Sequence, residues 1–251
     1  MASTPTPAGD GSLDFGQAFR FFFEDPEWVK KAIIGGLLYL GGMLTLIILG
    51  AGLLLLAIAA GFMMRLIQRS WVGEARPLPA WEDYGGLLRD GIKAIGLTLA
   101  YMVGVYIVPG IMIAVLALAG GALSHSGSEA ASGLMALAIL ILQLLSAVLN
   151  LILSLYLPSA LTRMTLYQRF GAGFEIRENI DFIRRNPKNY FLAFLASFLA
   201  NLVAGVGILA CCVGVFPAIF WSACVMGWSF GQVARHDSFL GQQVTAPAPG
   251  V

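Results

Sequence analysis

The feature that most limits how this chain folds is the spacing of its charged residues. Four long stretches contain no Asp, Glu, Lys or Arg, and they cover residues 32–64, 94–128, 130–162 and 189–234. About 20 apolar residues are enough for a helix that crosses a bilayer, so each stretch can hold at least one membrane span. Charged residues make up 12% of the chain and the mean hydropathy is +0.81, whereas soluble proteins are about 25% charged. The sequence therefore predicts an all-α, polytopic membrane helical bundle.

The number of spans depends on where these stretches turn back. A polar loop at 120–129 joins the second and third stretches into a hairpin near 93–162, and Gly and Pro residues break the last stretch into a hairpin near 190–234. The first stretch either forms one long helix or divides at 50–52 into two arms near 28–49 and 53–71. Division makes a first hairpin near 28–71 and gives about six spans.

The placement of the basic residues favours six spans over five. With three hairpins, all 15 Lys and Arg residues fall on one side of the membrane. A single long first helix would move Arg20, Lys30 and Lys31 to the other side and leave 12 against three. The positive-inside rule therefore favours three hairpins with both termini in the cytoplasm.

A stretch with a periodic apolar face precedes each predicted hairpin, near 13–24, 81–92 and 174–185. Such amphipathic segments are typical of helices that lie in the membrane interface, and here they would seal the cytoplasmic rim of the bundle. A single membrane domain would then cover 13–234. The Pro- and Gly-rich segment 1–12 is expected to be a disordered tail, and 235–251 a flexible C-terminal tail.

Several short motifs lie around the first two predicted hairpins. They are Asp25-Pro26-Glu27-Trp28-Val29-Lys30-Lys31, then Gly61-Phe62 with Arg65 and Arg69, then Leu78-Pro79-Ala80-Trp81-Glu82-Asp83-Tyr84-Gly85 and Asp90-Gly91, with Tyr106 and Pro109 beyond. This order resembles the prokaryotic membrane-protein family catalogued as domain of unknown function 4013. The resemblance implies a bacterial or archaeal multi-pass protein in the cytoplasmic (inner) membrane. It implies no activity, ligand or catalytic residue.

The chain lacks the residue patterns on which most enzyme and cofactor chemistry depends. It has no Walker A loop, dinucleotide-binding glycine motif, zinc-ligand pair or nucleophile elbow. Its two histidines, His125 and His236, stand outside the predicted spans and are expected to be exposed to solvent. The net charge of +1 disfavours a nucleic-acid partner. The sequence therefore predicts a protein that is not an enzyme and has no metal or cofactor.

No predicted span carries a charged residue in its middle, which disfavours proton- or ion-coupled transport. The polar side chains of the fourth span lie on one face: Gln143, Ser146, Asn150 and Ser154. Amides and hydroxyls in this arrangement serve either as hydrogen-bonding contacts between helices or as the lining of a pore.

Small residues at four-residue spacing mark two further faces. One comprises Gly96, Ala100 and Gly104 on the third span, and the other Ala223, Gly227 and Gly231 on the sixth. Small side chains let helices approach closely, within one bundle or between subunits.

These patterns favour a non-enzymatic accessory or scaffold subunit, or a homo-oligomer. Its partners would be the lipid bilayer and other membrane protein subunits or copies of itself. The alternative is a channel or a lipid or small-solute transporter that uses the polar face of the fourth span.

Overall fold

The computed structural model describes residues 12–49, 52–124, 129–207 and 214–240, and it contains only helices and turns over these residues. The helices are α1 (Gln17–Arg20), α2 (Trp28–Leu49), α3 (Gly52–Val72), α4 (Tyr84–Ser124), α5 (Glu129–Tyr167), α6 (Ile176–Arg185), α7 (Pro187–Val206) and α8 (Val215–Arg235), with a 3-10 turn at Phe170–Phe174. The prediction of an all-α fold is confirmed. The first charge-free stretch forms two helices, α2 and α3, and not one.

Five of these helices contain segments long and apolar enough to cross a membrane. The segments are Trp28–Leu46, Gly52–Val72, Tyr84–Ala119, Gly133–Tyr167 and Pro187–Val206. Helix α8, which occupies the predicted sixth span, is not one of them. Its apolar character is diluted by small residues and by Ser and Gln, which suit a helix that faces protein on several sides.

The chain divides into two compact units. Unit one comprises Met1–Ile95 with Pro158–Val251, and unit two comprises Gly96–Leu157. The sequence predicts a single membrane domain over 13–234. Charge-free stretches mark spans, but they do not show which spans pack together.

Helix α8 is the centre of unit one and packs against α2, α3 and α7. Its glycines permit this close contact. A Cβ atom added to Gly227 would lie 3.0 Å from the Met63 side chain, and one added to Gly231 would lie 2.7 Å from the carbonyl oxygen of Ile67, both on α3. The side chains of Phe220 and Phe230 are almost completely buried between these helices.

The start of α8 lies beside the first part of α2. A Cβ on Gly36 would lie 2.8 Å from Pro217, and one on Gly35 would meet the ring of Phe220. Helix α2 continues from Gly36 to Leu49, a further 20 Å or so at 1.5 Å per residue. Helix α8 therefore extends along only the first part of α2.

The three predicted interfacial segments have different structures. Segment 13–24 contains only the short helix α1, because Phe21 and Phe22 turn into the core and are buried. Segment 81–92 has no break after Tyr84, so most of it forms the beginning of α4. Segment 174–185 largely coincides with the separate helix α6.

The ordered chain continues beyond residue 234, where the predicted domain ends. The side chain of Asp237 is buried and its carboxylate accepts a hydrogen bond from Arg185 at 3.1 Å. Its other oxygen accepts from the backbone N–H of Phe239 at 3.0 Å, and Leu240 is fully buried. These contacts attach 236–240 to unit one. Of the predicted tails at 1–12 and 235–251, residues 1–11 and 241–251 lie outside the described residues.

In unit two, parts of α4 and α5 expose most of their apolar side chains. The hydroxyl groups of Tyr101 and Tyr156 form a hydrogen bond of 2.9 Å between the two helices. Helix α4 continues through Pro109 without ending.

Candidate functional site

The sequence motifs from Asp25 to Gly91 meet in unit one, at the ends of α2, α3 and α4, whereas Tyr106 and Pro109 lie in unit two. We call this group the motif cluster, and its members are Asp25, Lys31, Phe62, Arg65, Arg69, Leu78, Trp81, Asp83 and Asp90. Its first part is an ion pair between Lys31 Nζ and Asp25 Oδ2 at 2.7 Å, and each residue is only 6% exposed. Asp25 Oδ1 also accepts from the backbone N–H of Glu27 at 2.8 Å, so the carboxylate has partners on both oxygens.

The loop between α3 and α4 is fixed through one carbonyl group. The oxygen of Leu78 accepts hydrogen bonds from Lys31 Nζ at 3.3 Å and from Arg69 Nη1 at 3.0 Å. Leu78 itself is buried. Helix α3 ends before this loop at Gly73, whose φ of 83° is the left-handed conformation that glycine adopts readily. Two cations and a glycine therefore determine where this loop lies.

Arg65 joins α3 to the start of α4. Its Nη2 donates to Asp83 Oδ2 at 2.6 Å, and its Nε lies 3.9 Å from Asp90 Oδ2. Lys93 Nζ is 3.8 Å from the other oxygen of Asp90. The hydrogen bond from Arg65 and a second from the backbone N–H of Gly86 lower the pKa of Asp83 below its usual value. Asp83 therefore stays ionised at neutral pH. It directly precedes α4, and a negative charge at the N-terminus of a helix interacts favourably with the helix dipole.

Aromatic rings pack the inner side of the cluster. The rings of Phe62 and Trp81 stack with centroids 4.4 Å apart, and Phe220 of α8 lies 5.2 Å from Phe62 and 5.7 Å from Trp81. Such contacts contribute about 0.5–1.5 kcal/mol each beyond their buried area. The Leu-Pro-x-Trp motif thus places Trp81 against the core, while the backbone carbonyl of Leu78 accepts hydrogen bonds from Lys31 and Arg69.

Helices α3 and α4 cross at two glycines, Gly61 and Gly91. A Cβ on Gly91 would meet the backbone of Ala57, and one on Gly61 would meet the backbone of Leu87. Backbones that approach this closely exclude any side chain. In the Gly-Phe and Asp-Gly motifs, Gly61 and Gly91 therefore form the crossing point of the two helices. Their neighbours Phe62 and Asp90 belong to the motif cluster.

A small crevice adjoins the cluster, lined by Met64, Gln68, Asp90, Lys93, Met164, Thr165 and Gln168. Gln68 donates to the carbonyl oxygen of Thr165 at 3.3 Å and so joins α3 to α5. The acidic and basic groups around it are paired with each other. Over the described residues, no group of three His, Cys, Asp or Glu is placed to hold a metal ion. The arrangement binds elements of the chain to one another, and it offers no nucleophile with an adjacent base.

The predicted polar face of the fourth span lies on α5 in unit two. Ser146 and Ser154 donate to carbonyl oxygens of their own helix, those of Leu142 and Leu151. Gln143 and Asn150 are exposed and have no side-chain partner among the described residues.

The two predicted small-residue faces have different surroundings. On α8, Gly227 and Gly231 lie against α3, as described above, and Ala223 is partly exposed. On α4, Ala100 is exposed, Gly96 is partly exposed, and a Cβ on Gly104 would have nothing within 4 Å. One face therefore serves packing inside unit one, while the other lies on the surface.

The sequence did not predict that Lys31 is buried, or that a backbone carbonyl joins it to Arg69. A second missed site is Arg163, which is 4% exposed and donates to Asn179 at 3.1 Å and Glu175 at 2.9 Å. For Lys31, the sequence signal was the Asp-Pro-x-Trp-x-x-Lys motif, which contains both Asp25 and Lys31.

A family model described as "protein of unknown function (DUF4013)" matches residues 43–213, which is more than half of the chain. The matched region contains the motif cluster apart from Asp25 and Lys31. No curated protein matches the chain, and no solved structure matches it.

Proposed function

The chain belongs to the DUF4013 family of proteins of unknown function, and from this premise we propose that it is a non-enzymatic membrane protein that assembles with itself or with other membrane protein subunits. The observation that carries the proposal is the exposed small-residue face of α4, Gly96, Ala100 and Gly104. In a bilayer, helices associate through close packing at small residues, because lipid is as apolar as the side chains it replaces. The equivalent face on α8 is already occupied by α3.

The polar side chains of α5 support the same proposal. Gln143 and Asn150 are exposed on a helix whose neighbouring surface is apolar. An amide without a hydrogen-bonding partner is unfavourable in hydrocarbon, by roughly 1–3 kcal/mol on mutational scales. Association would supply that partner, and each such contact contributes about 0.6 kcal/mol on average.

The test compares two glycines of α4 that have no neighbour within 4 Å, Gly104 and Gly110. They are six residues apart and so project from different faces of the helix. We expect Gly104→Leu to abolish the assembly seen by native mass spectrometry of protein extracted from its own membrane. Gly110→Leu is the matched control and should assemble like the wild type.

Both variants should keep the wild-type thermal stability as single chains, because a Cβ atom added at either glycine has no neighbour within 4 Å. The proposal is overturned if Gly104→Leu assembles normally, or if the wild-type protein is always a single chain. A mass that includes other proteins would identify an accessory subunit, and a multiple of this chain would identify a homo-oligomer.

The second candidate is a channel or transporter whose path is lined by the polar face of α5. The alignment of four polar residues on one helical face favours it. The double variant Gln143→Leu/Asn150→Leu separates the two functions. Loss of a measured flux with normal assembly supports transport, whereas loss of assembly without any flux in the wild type supports contacts between helices.

The proposal places the protein in a prokaryotic cytoplasmic membrane with both termini in the cytoplasm, as the positions of the basic residues indicate. In a cysteine-free background, Glu129→Cys should react with an impermeant thiol reagent added to intact cells. Ala75→Cys should react only after the cells are opened. Reaction of both from the same side would contradict this orientation.

A further inference from the structure

An apolar groove of about 370 Å³ lies on the surface of unit one. Trp28 and Ala32 of α2 line one part of it, and Val203 of α7 lines another. Pro217, Ala218 and Trp221 contribute from the beginning of α8. Phe22 and Phe23 complete the lining beside the start of α2, where the rings of Phe23 and Trp28 lie 5.1 Å apart.

Two helices that line the groove are among those that can cross a membrane. Trp28 and Ala32 belong to the segment Trp28–Leu46, and Val203 belongs to the segment Pro187–Val206. Ile33, next to Ala32, is 52% exposed, and Val203 is 55% exposed. The groove is thus continuous with the apolar surface that these two helices present to the bilayer, so the medium at its opening is hydrocarbon.

Water is a poor occupant of this groove. An ordered water needs two to four polar partners. All eight residues that line the groove are apolar or aromatic. A space of this size within a membrane is filled by another apolar group, because empty volume loses the contacts that a close-packed interior makes.

Of the apolar groups that a bilayer supplies, the acyl chains of its own lipids are the most abundant. A hydrocarbon chain is narrow and flexible enough to lie between α2 and α7 along α8.

We propose that this groove binds one acyl chain of a membrane phospholipid. The aromatic rings of Phe23, Trp28 and Trp221 hold the chain by apolar contact, and the headgroup stays outside the groove at the membrane surface. This site is in unit one and does not depend on assembly through α4.

The test uses quenching of tryptophan fluorescence by a phosphatidylcholine that carries bromine atoms on one acyl chain. The protein is reconstituted into lipid discs made from this lipid or from its unbrominated counterpart. Trp28 and Trp221 line the groove, so the wild type should be quenched by the brominated chain. Ala218→Phe places a ring in the groove one turn from Trp221 and should lower the part of this quenching that comes from Trp221. Trp28 is 37% exposed and also meets the surrounding lipid, so its quenching should remain.

Ala117→Phe is the matched control, because Ala117 is exposed on α4, outside the groove. It should be quenched like the wild type. In native mass spectrometry, the wild type and the control should each retain one more phospholipid per chain than Ala218→Phe. If Ala218→Phe does not fold, Val203→Phe fills the same groove from α7.

The proposal is overturned if a folded groove-filling variant is quenched as strongly as the wild type. It is also overturned if brominated chains leave the wild type unquenched, which would mean that the chain's own residues or a second copy occupy the groove. A second copy is recognised by quenching that appears only when the protein is diluted in lipid. None of these outcomes depends on whether Gly104→Leu changes assembly.

Discussion

Lys31 provides the strongest test of how unit one is held together. Lys31→Met removes the ammonium group but keeps a long apolar side chain, so it leaves the buried Asp25 carboxylate without its ionic partner. Removing one partner of a buried ion pair typically destabilises a protein by about 3–5 kcal/mol. The carbonyl of Leu78 keeps its hydrogen bond from Arg69, and Asp25 keeps the bond from Glu27. We therefore expect a loss of about 3 kcal/mol, at the lower end of this range.

A double-mutant cycle separates the pair from other effects of the substitution. Asp25→Asn removes the unpaired charge, so Lys31→Met/Asp25→Asn should be more stable than Lys31→Met alone. We expect a coupling free energy of about 2 kcal/mol, within the range measured for contacting residues. The neighbouring Lys30→Met is the control. Lys30 and Glu27 are 3.6 Å apart with both side chains more than half exposed, and such pairs contribute about 0–1 kcal/mol.

The free energy of unfolding can be measured in detergent micelles by titration with dodecyl sulfate, with far-ultraviolet circular dichroism as the signal. The reasoning is refuted if Lys31→Met unfolds at the same point as Lys30→Met. It is also refuted if the effects of the two single substitutions simply add, because the charges would then not interact.

Three further substitutions test other contacts of unit one. Gly91→Leu should lower the unfolding free energy by about 3 kcal/mol or prevent folding, because the new side chain meets the α3 backbone; the same titration measures this loss. Arg65→Gln should raise the pKa of Asp83, measured by nuclear magnetic resonance, because the hydrogen bond that lowers it is removed. Since the folded-state pKa is the lower one, this contact stabilises the protein above the unfolded-state pKa and is lost as the pH falls. Arg185→Gln should speed proteolysis after residue 235, because buried Asp237 loses its partner.

Each of these expectations has a result that contradicts it. A Gly91→Leu protein with wild-type stability would mean that α3 and α4 do not cross at this glycine. An unchanged titration of Asp83 in Arg65→Gln would exclude the hydrogen bond as the cause of the low pKa. Equal rates of proteolysis in Arg185→Gln and the wild type would mean that 236–240 is held by other contacts.

The helical fold follows from local features of the sequence. Charge-free stretches longer than a membrane span predict helices, and the glycine-containing turn at 50–52 predicts where the first stretch divides. Helix α7 begins at Pro187, because proline lacks the N–H that would have no partner at that position. Each of these signals lies within the segment that forms the helix, so a helix and its ends can be predicted without knowing how the chain packs.

The motif cluster depends on contacts between distant segments. Asp25, Lys31 and Leu78 come together only because α2, α3 and the following loop pack in one particular way. The same is true of Phe220, which lies far along the chain from Phe62 and Trp81. The start of α8 lies beside Gly35 and Gly36, and this position also depends on tertiary packing, which the length of a helix does not predict.

Several contacts of unit one bring both described chain ends to the same face. The backbone N–H of Leu13 donates to Asn189 at the start of α7, and Asp237 binds Arg185 at the end of α6. This arrangement does not depend on how deeply α7 and α8 enter the bilayer. A hairpin that crosses the membrane twice returns to the side on which it starts, and so does a hairpin that turns back midway. Reporter domains fused before Leu13 and after Leu240 should therefore always meet the same compartment, and a split reporter divided between the two ends should reconstitute.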